Sequence, residues 1–89
     1  MFCVYIIFSE SIQQFYCGQT HDIVFRFQQH NAGETVSNKH GIPWTLVGYV
    51  KVETRSEAMI LEKQIKKRGI ARWLEEHKGE LHKIVEVID

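Results

Sequence analysis

The chain has 89 residues, 44 % hydrophobic and 25 % charged, with 11 Lys and Arg balancing 11 Asp and Glu. That length builds one core, and the composition is neither that of a disordered chain nor that of a fibre. Zero net charge excludes a surface coated in nucleic acid on every side, and two cysteines, Cys3 and Cys17, are too few for a disulfide scaffold. Residues 2–8 form a β-branched and aromatic run that reads as a buried strand. It is far shorter than the about 20 residues a bilayer requires. No basic stretch precedes it and no small-residue cleavage site follows, so neither a membrane span nor a leader is expected, and the cytoplasm is the expected compartment. Ser9-Glu10-Ser11 supplies turn chemistry and Gln14 to Gly18 a second strand, which makes residues 2–18 a hairpin. Thr20 or Asp22 caps a helix in which Ile23, Phe27 and His30 recur at helical spacing until Asn31-Ala32-Gly33 ends it. Residues 34–42 are polar and carry Gly41, a loop; Trp44 to Val52, after Pro43, is a third strand. Ser56, Met59, Ile60, Lys63 and Ile65 to Lys67 pattern a second helix that Gly69 interrupts. A shorter helix over about 71–76 and a tail follow.

The order β-β-α-β-α-α predicts an α+β fold, a three-stranded, mainly antiparallel sheet flanked by helices. No repeat or linker divides the chain, so residues 1–89 are expected to form a single domain. Phe2, Phe8, Phe15, Phe25, Phe27, Trp44 and Trp73 read as core or helix–sheet contacts rather than base-stacking platforms.

Charge is unevenly placed. Residues 1–38 hold one basic residue, Arg26, against three acidic ones, whereas residues 39–72 hold eight basic against three acidic, and the tail from 73 is acidic again. A basic middle of this kind is either a phosphate-facing surface or a solvated helix face. Cys3, Cys17, His21 and His40 lack the paired spacing of a zinc site.

Several fragments recur in a telling order: Val4-Tyr5-Ile6, then Tyr16-Cys17-Gly18, then Asp22 with Arg26 and His30, and finally Glu57-Ala58 with Glu62-Lys63-Gln64-Ile65-Lys66-Lys67. The set resembles the GIY-YIG nuclease domain, and within it a small stand-alone bacterial branch, over about residues 2–74. Residues 75–89 form a C-terminal tail, without counterpart from about His77 onward. Val4 stands where the first motif has its glycine and Cys17 where the second has an aliphatic residue, and Ser37-Asn38 replaces a Tyr-Thr pair found in close relatives. The resemblance implies a three-stranded antiparallel sheet with helices and divalent-metal-dependent cleavage of phosphodiesters in DNA or structured nucleic acid.

Hydrolysis of a phosphodiester needs an activated water, neutralisation of charge on the phosphoryl oxygens and help for the leaving oxygen. By the resemblance, Glu62 holds one Mg²⁺ or Mn²⁺, a cation that a single carboxylate can bind together with waters and the substrate phosphate. Arg26 can fork two N–H donors onto that phosphate. Tyr5 and Tyr16 match the two motif tyrosines, with Tyr5 the expected general base. His30, one helical turn after Arg26, either orients a tyrosine or closes the helix end. Glu62 taken alone would be an i,i+4 partner of Lys66. Gly18 is expected to let backbone approach closely at the substrate, and Lys63, Lys66 and Lys67 to bind it. Binding to nucleic acid is expected to be weak and salt-sensitive. The alternative is a catalytically weak nucleic-acid-binding or protein-interaction module on the same fold.

One geometric requirement follows. Tyr5 and Tyr16 can serve one site only from the same sheet face, so the numbers of paired residues in the hairpin must have an odd sum. A turn centred near Glu10 and Ser11 gives 21, with 19 or 23 for diagonal neighbours.

Overall fold

The computed structural model describes residues 1–34, 36–77 and 79; of the expected tail, residues 78 and 80–89 lie outside them. The chain runs β1 (Phe2–Ser9), β2 (Gln14–Thr20), α1 (Ile23–Asn31), a 3₁₀ segment (Val36–Gly41), β3 (Trp44–Val52), α2 (Arg55–Arg68) and α3 (Ile70–His77). The three strands form one antiparallel sheet in the order β2-β1-β3, as the α+β reading expected. The loop of residues 34–42 thus contains a 3₁₀ turn.

β1 is the central strand and is covered on both faces, which explains its unbroken apolar sequence. On one face Cys3, Tyr5 and Ile7 pack with Ile23, Trp44 and Tyr49, with Val24 and Phe27 of α1 against them. On the other, Val4 and Ile6 pack with Cys17 and with Ala58, Ile65 and Trp73 of α2 and α3. The sheet is therefore a middle layer, α1 on one side and α2 with α3 on the other. β2 is left as an edge, and Arg26 and Glu62 belong to helices on opposite faces.

The hairpin pairs Cys3 with Thr20, Tyr5 with Gly18 and Ile7 with Tyr16, a sum of 23 rather than 21. The turn is longer than turn chemistry suggested, because Ser9 pairs with Gln14, and Gln13 takes a positive φ of 53°. The buried Ser9 hydroxyl holds that turn, lying 3.0 Å from Ser11 Oγ and accepting from Ile12 N–H at 3.3 Å, while Gln13 Nε2 donates to the Glu10 carbonyl at 2.8 Å. The sum stays odd, so the two tyrosines share a face. A register shift between Ile6 and Ile7 on the β1–β3 side brings Tyr49, Leu46 and Trp44 to the α1 face together. Without that extra residue, alternation would send Trp44 to the opposite side.

Of the two caps expected before α1, Asp22 is the one used, and Thr20 supports it. Asp22 Oδ1 accepts from Phe25 N–H at 3.0 Å, and Thr20 Oγ1 accepts from Asp22 N–H at 3.1 Å. α2 starts before Ser56: Thr54 Oγ1 accepts from Glu57 N–H, capping the helix, and donates to the Glu57 carboxylate, each at 3.2 Å. Gly69, at φ 94°, ends α2, and α3 begins at Ile70. Across this corner Arg68 grips the Glu76 carboxylate with two donors, Nε to Oε1 at 2.9 Å and Nη2 to Oε2.

Two side-chain expectations are corrected. Met59 and Ile60 are exposed, because α2 buries Ala58 and Ile65 with Leu61 beside them. Phe25 is also exposed, at 57 %. It lies two residues from the buried Ile23, about 200° around the helix, and so faces away from the sheet.

Candidate functional site

Tyr5 and Tyr16 project from neighbouring strands onto the α1 face with ring centroids 6.3 Å apart. His30, on the last turn of α1, closes the triangle at 5.7 Å from the Tyr5 ring and 5.3 Å from Tyr16, edge-on to the latter. The Tyr5 hydroxyl lies 2.8 Å from His30 Nε2. Behind Tyr16, the Trp44 indole forms a wall at 6.4 Å. Its own seat is cut by Gly41, where a Cβ would overlap the indole at 2.2 Å.

Gly18 lies directly across from Tyr5. A Cβ there would stand 2.6 Å from the Tyr5 hydroxyl oxygen and 2.9 Å from its Cζ. The close approach expected at this glycine is therefore made by the phenol of Tyr5, and Gly18 acts by seating it.

Burial sets the protonation of the pair. Tyr5 is 1 % exposed and His30 wholly buried. Burial pushes the Tyr5 phenol up to about 12, although hydrogen bonding to the Arg26 guanidinium works the other way. Burial, with the charge of Arg26 beside it, pushes His30 down to about 4. At neutral pH the pair is a phenol and a neutral imidazole, and a ring carrying its proton on Nδ1 accepts the phenol hydrogen at Nε2. This environment holds Tyr5 against ionisation, the opposite of what its expected role as general base requires. Tyr16 is only partly buried.

Arg26 stands one turn before His30, where its guanidinium interacts with both phenols, which raise its own pKa. Its Nη1 donates to Gln29 Oε1 at 3.2 Å. Arg26 also opens outward, onto a cleft of about 390 Å³ shared with Gln19, Asp22, Phe25, Gln29 and Arg55.

The α2 side presents a second cleft, of about 470 Å³, lined by Gln19, Ser56, Met59, Glu62, Lys63 and Lys66. The two clefts meet at Gln19, near the end of the edge strand β2. Glu62 is ion-paired to Lys66 Nζ at 2.6 Å, the i,i+4 contact foreseen for it. Lys66 also lies within electrostatic reach of Tyr16 and Cys17. Lys67 does not join this group. It lines a separate hollow with Gln64, Arg68 and Arg72, because it stands 100° further round α2 than Lys66.

Among the described residues no three His, Cys, Asp or Glu side chains converge as a metal cluster. Glu62 is thus a single carboxylate donor, which fits a hard cation that keeps its waters and takes further oxygens from a substrate phosphate. The Lys66 ammonium at that carboxylate marks the position as one that favours positive charge.

The site therefore keeps Tyr5, Tyr16, Arg26 and His30 in contact, places Glu62, Lys63 and Lys66 around the edge of β2, and leaves Lys67 outside. Gln19 and Arg55 line it without having been singled out, and Phe25, read from the sequence as a core contact, lines it as well. For Arg55 a signal was present: as the first residue of α2 its cation opposes the helix dipole, an unfavourable placement for stability alone.

Neither the curated proteins nor the solved structures produced a match to the chain. Among the described residues no helix is long and apolar enough to cross a membrane. The family described as the GIY-YIG catalytic domain matches residues 1–76, six-sevenths of the chain. With its sheet, its two motif tyrosines on one face and Arg26 beside them, the chain belongs to the GIY-YIG family, a nuclease-type family acting on nucleic acids.

Proposed function

We propose that this protein is a metal-dependent endonuclease that hydrolyses phosphodiester bonds in DNA or structured nucleic acid. The observation that carries this reading is the cluster of Arg26 with both tyrosines, in which Arg26 also lines a cleft. Such an arrangement holds an anion at the cleft and a proton-handling group just behind it.

Arg26 receives the scissile phosphate through its forked donors and offsets the charge that grows on the phosphoryl oxygens. Tyr16, the less buried phenol, is the group that meets the attacking water and takes its proton. Arg26 interacts with this phenol directly, and the Lys66 ammonium lies within electrostatic reach of it. Tyr5 and His30 position rather than react: their hydrogen bond fixes the ring against which Tyr16 packs. Water oxygen bonds to phosphorus as the ester bond to the leaving oxygen breaks. Glu62 would hold one Mg²⁺ or Mn²⁺, which supplies Lewis-acid stabilisation of the phosphate and the leaving oxygen.

The test is cleavage of branched, nicked and single-stranded substrates with Mg²⁺ or Mn²⁺. Glu62→Gln, nearly the same shape without the charge, is expected to abolish metal-stimulated cleavage with the fold intact by circular dichroism. Undiminished turnover in that variant would remove Glu62 from the reaction. Metal-independent cleavage by the wild type would overturn the mechanism.

A further inference from the structure

Phe25 is a large aromatic ring, 57 % exposed, on the first turn of α1, and the next residue is Arg26. Both line the cleft of about 390 Å³, within the usual range for ligand sites, together with Gln19, Gln29 and Arg55. The carboxylate in that cleft, Asp22, accepts from the Phe25 amide as the helix cap, so part of its charge is committed to the helix N-terminus. Two arginines, Arg26 and Arg55, line the same cleft. An exposed apolar ring sharing one cleft with two arginines matches a nucleotide, which offers a flat π-face and an anion.

We infer that the cleft takes an unpaired nucleobase, stacked on Phe25, from the nucleotide next to the phosphate on Arg26. The inference rests on the proposed nuclease reading and adds a substrate class to it: single-stranded, flapped or splayed nucleic acid. A base inside a duplex has both faces covered by its neighbours and has none to offer the ring.

Binding without divalent cation separates this inference from cleavage. A single-stranded oligonucleotide, the same strand with abasic positions, and a blunt duplex are titrated into wild type, Phe25→Ala and Phe25→Trp. Phe25→Ala is expected to lose about ten-fold affinity for the normal strand and little for the abasic one. Phe25→Trp is expected to keep the affinity, and the normal strand, but not the abasic one, should quench its indole. Trp44 and Trp73 are buried, so the new indole dominates the change. An equal loss on normal and abasic strands, or on duplex and single strand alike, would overturn the inference, the latter making Phe25 a wedge into paired nucleic acid. A wild type that cleaves but whose binding ignores Phe25 loses the inference and keeps the nuclease. One that never cleaves yet shows base-dependent binding through Phe25 does the reverse. Absence of any binding at low salt would overturn both.

Discussion

Gly18 and Tyr5 act as one unit, since the glycine exists as a space for the phenol. Gly18→Ala places a methyl group 2.6 Å from a hydroxyl that is buried and bonded to His30, so the ring must shift. Overpacking of this kind costs about 1–3 kcal/mol, and the variant should lower the denaturation midpoint accordingly. Removing the hydroxyl relieves part of the clash, so Tyr5→Phe is expected to cost less in the Gly18→Ala background than in wild type. Additive costs in that double-mutant cycle would mean that the two residues do not meet. His30 gives a second residue-scale prediction. Its pKa is lowered from 6.5 to about 4 in the folded protein, so between those values the unfolded chain binds a proton that the folded one refuses. Stability is fully present above pH 6.5 and is lost as pH falls toward 4, by up to about 3 kcal/mol. His30→Gln, which cannot titrate, should flatten the fall between pH 6.5 and 5 in urea denaturation, where fewer carboxylates contribute. An unchanged slope would show that His30 is not held neutral.

At the scale of elements, one side chain of α1 hydrogen-bonds both backbone groups of the first residue of β3. Asn31 Oδ1 accepts from Trp44 N–H at 2.6 Å and its Nδ2 donates to the Trp44 carbonyl at 3.0 Å, so the end of the helix clasps the start of the edge strand. Asn31→Ala removes both bonds, at about 2 kcal/mol, which lowers Tm by roughly 10 °C in a domain of this size. The Trp44 indole should loosen with it, seen as weaker near-ultraviolet circular dichroism. A melt unchanged to within a degree or two would assign the clasp no role. In the sequence this asparagine reads only as part of a helix terminator, because a partner 13 residues away leaves no local pattern. Elements defined by local chemistry were legible: the apolar run of β1, the Asp22 cap, and Gly69. Thr54-x-x-Glu57 was equally local, and it places the start of α2 better than the apolar spacing of Met59 and Ile60 does. That spacing misled because an exposed pair of apolar residues can imitate a buried stripe when the true one contains a residue as small as Ala58. The bulge between Ile6 and Ile7 left no sign, since Trp44 to Val52 alternates plausibly in either register.

Across the whole molecule, the site was legible as a set of residues and not as an arrangement. Ordered motif spacing brings out Tyr5, Tyr16, Arg26, His30 and Glu62, but nothing in it says that Arg26 and Glu62 ride on opposite faces of the sheet and reach around β2. Nor does charge counting tell which cations of the basic middle look toward that edge; only the rotation of α2 decides. Arg55 opens onto the cleft with Arg26, whereas Lys67 lines a hollow with Gln64, Arg68 and Arg72. Neutralising each of these two removes one exposed positive charge, so net charge alone predicts equal effects. The geometry predicts unequal ones. A single strand contacting about four cations around the edge of β2 should give a slope of roughly −3 for log affinity against log salt. Arg55→Gln should bring that slope closer to zero by about 0.7 and weaken binding, while Lys67→Gln should leave the slope unchanged and the affinity nearly so. The measurement is a fluorescence-anisotropy titration between about 50 and 200 mM salt without divalent cation. Equal slopes for the two variants would mean that the strand follows the basic face of α2 at large, and that the edge of β2 is not its path.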